Sequence, residues 1–407
     1  MSTIHWTEMS TPRSAHWHSE SATPPPGRVI GADDRMKADA AYRLACEDGA
    51  LLWRGDFHNA RQLLQALGRR IDRKPSRQGG SPAESFHLHR RARGHRARVL
   101  GRLLVLLEGD YCLNLRRAPD VRRACVEAYG PPSEPTAVSL TELLGVIGAH
   151  QWRTKGVEVP ALGARIHPHY GVFSPVRGEY VDLVAQAPFP APAAARAGRR
   201  TAFDLGTGTG VLAAVLARRG IDHVVATDIS PRALACAHEN VRRLHLTGHI
   251  DIVGPGLYPP GRADLVVCNP PWIPARPTSA VEQGVYDPGS SMLRDFLHGL
   301  TAHLEPGGEG WLILSDLAER LGLRTRDELL DDIKAAGLHV VGRTDTRPRH
   351  PRARDTADPL HSARSAEVTS LWRLASAQRS AHVQAVADVL PLTCAGQGTA
   401  DPQHRSP

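Results

Sequence analysis

Apolar and polar positions fall into two regimes along the chain. From residue 201 onward, short apolar runs that read as buried strands alternate with stretches of helical period. The strands are TAFDLG (201–206), HVVATDI (223–229), HIDIVG (249–254), ADLVVC (263–268), EGWLILS (309–315), HVVGRT (339–344) and VTSLWRL (368–374). Between them lie the helical patterns VLAAVLARRG (211–220), PRALACAHENVRRLHL (231–246), SMLRDFLHGLTAHL (291–304) and RDELLDDIKAAG (326–337). Regular strand–helix alternation predicts an α/β fold: a doubly wound, mostly parallel seven-stranded sheet whose last two strands form an antiparallel pair.

The first 200 residues are patterned differently. Residues 30–72 read as helices: Ala41, Leu44, Ala45 and Leu52 share one side. Asp56 caps a second segment with Phe57, Ala60, Leu63, Leu64 and Leu67 at helical spacing. Residues 73–85 form a loop. A basic run (Arg90, Arg91, Arg93, Arg96, Arg98, Arg102) flows into the apolar VLGRLLVLL, and 110–150 reads as short helices interrupted by YGPPSEPT. The Ala- and Pro-rich segment 185–200 reads as a linker. The predicted organisation is a disordered tail over 1–28, an arginine-rich, mainly helical domain that presents substrate over 29–150, a catalytic domain over 151–376, and a loose tail over 377–407.

Composition adds modest constraints. The 407 residues suffice for a large domain and a smaller one, with 41% hydrophobic and 23% charged residues. No apolar stretch approaches the roughly 18 residues of a membrane span, and the N-terminus lacks the pattern of a secretory signal. Cys46, Cys112, Cys125, Cys236, Cys268 and Cys394 show no CxxC spacing, which suits a reducing cytoplasm. The net charge of +8 invites a nucleic-acid partner. With only four lysines, the arginine excess also fits a coding bias. His87 with His89, and His167 with His169, have HxH spacing without an identifiable third ligand, so no metal is expected.

Three stretches carry chemistry. FDLGTGTG supplies Asp204, Gly206, Gly208 and Gly210, a turn in which the backbone approaches a ligand at a helix N-terminus. Its GxGxG spacing, with Val211 one position later, departs from the GxGxxG of dinucleotide sites. Asp228, at the end of the neighbouring strand, suits the two hydroxyls of a ribose, which a nicotinamide cofactor and S-adenosylmethionine (SAM) share. The third stretch, NPPW, separates them. The Asn269 side-chain oxygen and the Pro270 carbonyl can each accept one N–H of a planar NH₂ group, Pro270 and Pro271 fix the carbonyl direction, and Trp272 offers a stacking face. An NAD(P)-dependent oxidoreductase remains a distant alternative.

In this order FDLGTGTG, ATDIS and NPPW resemble the class I SAM-dependent methyltransferases of the methyltransferase small domain type, over roughly residues 165–375. The resemblance implies catalytic roles for Asn269, Pro270, Pro271 and Trp272. It implies SAM contacts from Asp204, Gly206, Thr207, Gly208, Gly210, Asp228 and Ile229, and from Phe173 in the cofactor-covering segment HPHYGVFSPVRGEYVDLV (167–184). GVFS (171–174) resembles ribosomal RNA guanine-N2 methyltransferases, whereas DLGTGTG and NPPWIP are similar to the glutamine methyltransferases of release factors. Where relatives carry an acidic residue near the cofactor's adenine, this chain has Gly256. The expected acceptor is an exocyclic amine of an RNA base of ribosomal type, narrowly ahead of a glutamine amide on a translation factor.

Overall fold

The computed structural model describes residues 2–73, 79–190, 198–279, 281–349 and 355–377. The expected tail beyond 377, and parts of the 73–85 loop and the 185–200 linker, lie outside them.

The C-terminal half forms around β9 (Thr201–Leu205), β10 (His223–Thr227), β11 (Ile250–Val253), β12 (Ala263–Cys268), β13 (Leu304–Ser315), β14 (Leu338–Thr346) and β15 (Thr369–Ser376), in the order β11-β10-β9-β12-β13-β15-β14. All are parallel except β15, which runs antiparallel to both neighbours. Two-residue alternation sends Ala202, Leu265 and Val267 to one face and Phe203, Leu205, Val266 and Cys268 to the other. The first face is covered by α6 (Glu179–Gln186), α7 (Val211–Arg218) and α8 (Pro231–Arg243), the second by α9 (Ser291–His303) and α11 (Arg326–Ala335). With both faces buried, these strands read as continuous apolar runs. This is the doubly wound fold the pattern predicts. β12 lies beside β9, so Asn269 and the glycine turn share the carboxyl edge of the sheet.

The N-terminal part departs from expectation. It is built on a six-stranded mixed sheet, not mainly on helices. The strands are β1 (Thr3–Glu8), β2 (Thr11–Trp17), β3 (Arg28–Ala32), β4 (Gly49–Trp53), β5 (Leu103–Leu107) and β6 (Thr136–Ser139), ordered β1-β2-β6-β5-β4-β3. One face packs beneath α1 (Ala38–Cys46), α2 (Phe57–Asp72), α4 (Arg122–Tyr129) and α5 (Leu140–Lys155). Asp56 caps α2 by accepting from the His58 N–H at 2.8 Å, as its position predicts. GALLW and LLVLL are central strands; five apolar residues in a row suit a buried strand and a buried helix turn equally.

Residues 1–28 are likewise not a disordered tail through the described part. Ile4 and Trp6 alternate with exposed neighbours along β1, and with Ala15 and Trp17 they join Ala50, Leu52, Leu104 and Ala137 in one core cluster. Helix α3 (Pro82–Leu100) leaves this unit and reaches the other: Phe86 packs with Ile273, Tyr286, Leu317, Leu321 and Leu360. Two short helices, α10 (Leu317–Arg320) and α12 (His361–Ser365), complete the fold. Among the described residues no helix is long and apolar enough to cross a membrane.

Because β1 closes a core, Trp6→Ala is expected to destabilise the protein by about 3–5 kcal/mol, as large-to-small changes in packed cores do. Denaturant unfolding measures this; an unchanged midpoint would return residues 1–28 to the status of a tail.

Candidate functional site

The site forms where β9, β10 and β12 end together. Asp204 is fully buried; one carboxylate oxygen accepts from the Thr207 hydroxyl at 2.6 Å and the Ala213 N–H at 3.0 Å. Its other oxygen, also buried, has no hydrogen-bond partner among the described residues. Burial, and secondarily the Asp228 charge, pushes the Asp204 carboxyl up to about 6. The fold therefore keeps a proton that an unfolded chain releases near 3.8, and ligand-free stability falls as pH rises through that window.

Gly206, Gly208 and Gly210 all have positive φ, +71°, +55° and +80°. At Gly206 a side chain would also collide with the Met292 methyl, 2.5 Å from the Cβ position. Gly210 closes the turn as the left-handed N-cap of α7, with Ala237 of α8 3.3 Å from where a Cβ would sit. The turn is tied to β10 twice. Thr207 donates its N–H to the Thr227 carbonyl at 2.8 Å, and Gly208 donates its N–H to Asp228 at 3.0 Å. The second Asp228 oxygen accepts from the Ser230 N–H at 2.9 Å, while Ser230 itself caps α8. Burial raises the Asp228 carboxyl. Beside it, Ile229 is 73% exposed, a large apolar side chain left uncovered next to a buried acid.

Asn269 follows β12 directly. Its side-chain oxygen accepts from the Trp272 indole N–H at 2.9 Å. A carboxamide oxygen has two lone pairs, so this bond fixes which way the amide faces and leaves one acceptor position. Pro270 is buried and Pro271 partly so. The Trp272 ring is half-buried, packed against three apolar clusters. Thus Asp204, the glycines, Asp228 and Asn269 gather at one sheet edge. Phe173 reaches the loop after the NPPW, where it would lie 2.8 Å from a Cβ at Gly284.

Several contributors were not legible in the sequence. Asn240 of α8, 1% exposed, accepts from the His167 N–H at 2.8 Å and donates to the carbonyls of Thr209 and His167, joining segment 167–173 to the glycine turn. The HxH pairs have structural partners: His167 bonds the Arg153 carbonyl and His169 bonds Glu239. His87 and His89 lie on α3, not on a strand. Among the described residues no group of three or more His, Cys, Asp or Glu is arranged to hold a metal. Asp287 accepts from the Met292 and Leu293 N–H groups at the start of α9, and Tyr286 is buried.

Arg90 holds this loop. Its guanidinium donates to both Glu282 oxygens at 3.0 Å and to the Arg276 carbonyl at 2.7 Å, and lies 4.1 Å from the Tyr286 ring centroid. Glu282 in turn accepts from the Thr278 N–H and hydroxyl. Half of the six arginines of the basic segment are thus paired within the molecule, since Arg96 pairs with Asp72 and Arg102 with Asp48.

Residues 164–320 match the family model of the methyltransferase small domain. The matched segment spans the glycine turn, Asp228 and the NPPW. A release factor glutamine methyltransferase of Cereibacter sphaeroides is 34% identical over 155 residues, 35% of this chain and 53% of the relative. A ribosomal protein L11 methyltransferase of Pelotomaculum thermopropionicum is 46% identical over 71 residues, 17% of this chain and 23% of the relative. This chain thus spans about half the length of the release-factor relatives it matches. A crystal structure of a ribosomal protein L11 methylase from Lactobacillus delbrueckii subsp. bulgaricus aligns with TM-score 0.32 and 19% identity, covering 48% of this chain and 77% of that one.

Arg90 links the two units across 192 residues of sequence. Arg90→Ala is expected to speed amide exchange in residues 273–287 roughly tenfold, the effect of losing about 1.4 kcal/mol of local protection. Exchange at that loop equal to wild type would contradict the strap.

Proposed function

We propose that the protein is a SAM-dependent N-methyltransferase whose acceptor is the side-chain amide of a glutamine in a protein, acting in the cytoplasm. The observation that carries the reading is Asn269 at the end of β12, its amide oriented by Trp272, on the same sheet edge as the Asp204–Gly210 turn. Support also comes from the release-factor relatives. A further point is that Arg90, Arg96 and Arg102 are committed to partners within the chain, which leaves fewer cations for a phosphate backbone than the sequence suggests. The described cysteines are all free, as a reducing compartment would leave them.

The residues present fit SAM. The turn is open to close approach at Gly208, where a side chain would meet almost nothing, and Asp204 has a buried oxygen without a partner among the described residues, suited to a cationic ligand. Asp228 would take the ribose hydroxyls, with Thr207 part of the same turn, and Ile229 and Phe173 would supply apolar cover. Bound SAM supplies an electrophilic methyl group on a sulfonium. The chain's own work is on the acceptor. An amide nitrogen is a poor nucleophile because its lone pair is delocalised into the carbonyl. The free acceptor position on the Asn269 oxygen and the Pro270 carbonyl each take one N–H of that NH₂. They orient its nitrogen and pull its protons away from it, so electron density returns to nitrogen. Pro270 and Pro271 keep the carbonyl from drifting. The N–H proton leaves during or after transfer.

Full-length protein with tritiated SAM and a cell extract tests the reading. Label is expected in the protein fraction, sensitive to protease and resistant to ribonuclease, and recovered as methylglutamine. Asn269→Ala is expected to lose about 10²-fold or more in transfer while binding SAM normally, as misalignment of a reacting group does. Label lost to ribonuclease would instead select an RNA amine.

A further inference from the structure

Exposed large apolar side chains are ordinarily scattered singly, but three gather here. Trp152 (50% exposed), Val176 (57%) and Val281 (48%) line one open cleft of about 1230 Å³ between the two units. That volume exceeds the roughly 300–1,000 Å³ typical of small-molecule sites. One wall is the C-terminal half of α3 and the length of α5 from Thr141 to Trp152. The facing edges are formed by residues between Pro168 and Val176, and by Thr278, Ser279, Val281 and Glu282. Neither edge contains a residue of the transfer site, but both continue segments joined to it. The first follows His167, which Asn240 ties to the glycine turn, the second lies in the loop held by Arg90, and beside them Phe173 packs on Gly284.

Charges in the cleft wall are mostly satisfied within the chain. Arg96 and Arg102 have Asp72 and Asp48, and Glu282 has Arg90. Glu20 pairs with His18 and Arg232, and Glu142 accepts from the Tyr129 hydroxyl and the Glu20 N–H. Arg93 and Arg98 remain exposed, neither one paired with a carboxylate in the described residues, although Arg98 contacts His95. The cleft therefore offers two positive charges beside an apolar surface. A phosphate backbone is gripped by a row of cations, and Arg90, Arg96 and Arg102 of this segment are already paired. A polypeptide with an acidic side chain next to apolar ones matches both features.

We propose that this cleft binds the acceptor polypeptide and selects glutamines flanked by acidic and apolar residues. The proposal rests on the reading of Asn269 as the transfer site. The N-terminal unit supplies the cationic wall and the C-terminal unit the chemistry, so substrate choice and catalysis lie on different domains.

A degenerate peptide library tests it, with a fixed central glutamine and three randomised positions on each side, tritiated SAM and the full-length protein. Wild type is expected to label peptides with Asp or Glu flanks roughly fivefold over those with Lys or Arg, the scale of one exposed ion pair. The double variant Arg93→Glu, Arg98→Glu is expected to invert that order with unchanged SAM affinity by calorimetry; both positions are exposed, so the fold is kept. Labelling without a charge preference, or with the same preference in the variant, overturns the cleft and leaves the transfer site standing. A library that takes no label from wild type, whether or not ribosomal RNA fragments do, overturns both.

Discussion

A carboxylate buried without a compensating charge governs the C-terminal half of this protein. Asp204 stands near the end of β9, and through Thr207 and Ala213 it fixes the turn and the first residues of α7. Burying a charge in this way is costly unless something pairs with it. Among the described residues only one oxygen finds a partner, and the fold answers by holding the carboxyl up to about 6. The turn it shapes carries no side chain at Gly206, Gly208 and Gly210, and Asp228 anchors that turn from the next strand. Ligand-free, the site stores an unfavourable electrostatic term that a cation would relieve.

The second organising feature is α3, which joins the two units. Phe86 enters the apolar cluster beneath the loop after the NPPW, and Arg90, one helical turn later, clamps the loop's rim. On the opposite side Arg153 and His169 both meet Glu239 of α8, and Arg232 of α8 pairs with Glu20. Helix α8 begins just after Asp228, so domain docking bears on the elements that carry the site.

Where each element draws its stability from local pattern, the sequence disclosed it. The seven strands of the larger sheet stand between turn signals, and Asp56, Ser230 and the glycines announce their helices and turn directly. The NPPW stands out after β12 because two prolines in succession cannot donate to a strand ladder. The N-terminal sheet was hidden for a physical reason: β4 and β5 are five-residue runs buried on both faces, with no alternation to betray them. β1 does alternate, but its Ser-, Thr- and His-rich surroundings masked two tryptophans that seal a core. Contacts such as Arg90 with Glu282 or Asn240 with Thr209 join distant segments, and one sequence without its fold carries no sign of them.

Calorimetric titration of SAM into the full-length protein at a series of pH values tests the central claim most directly. If the turn around Asp204 is the cofactor site, binding a cation favours the ionised carboxylate. Affinity should then rise as pH increases toward about 6 and level off above it, with proton release on binding confined to the acid side, and Asp204→Asn should flatten the curve. SAM that fails to bind, or binds with an affinity indifferent to pH and to Asp204→Asn, would contradict the account.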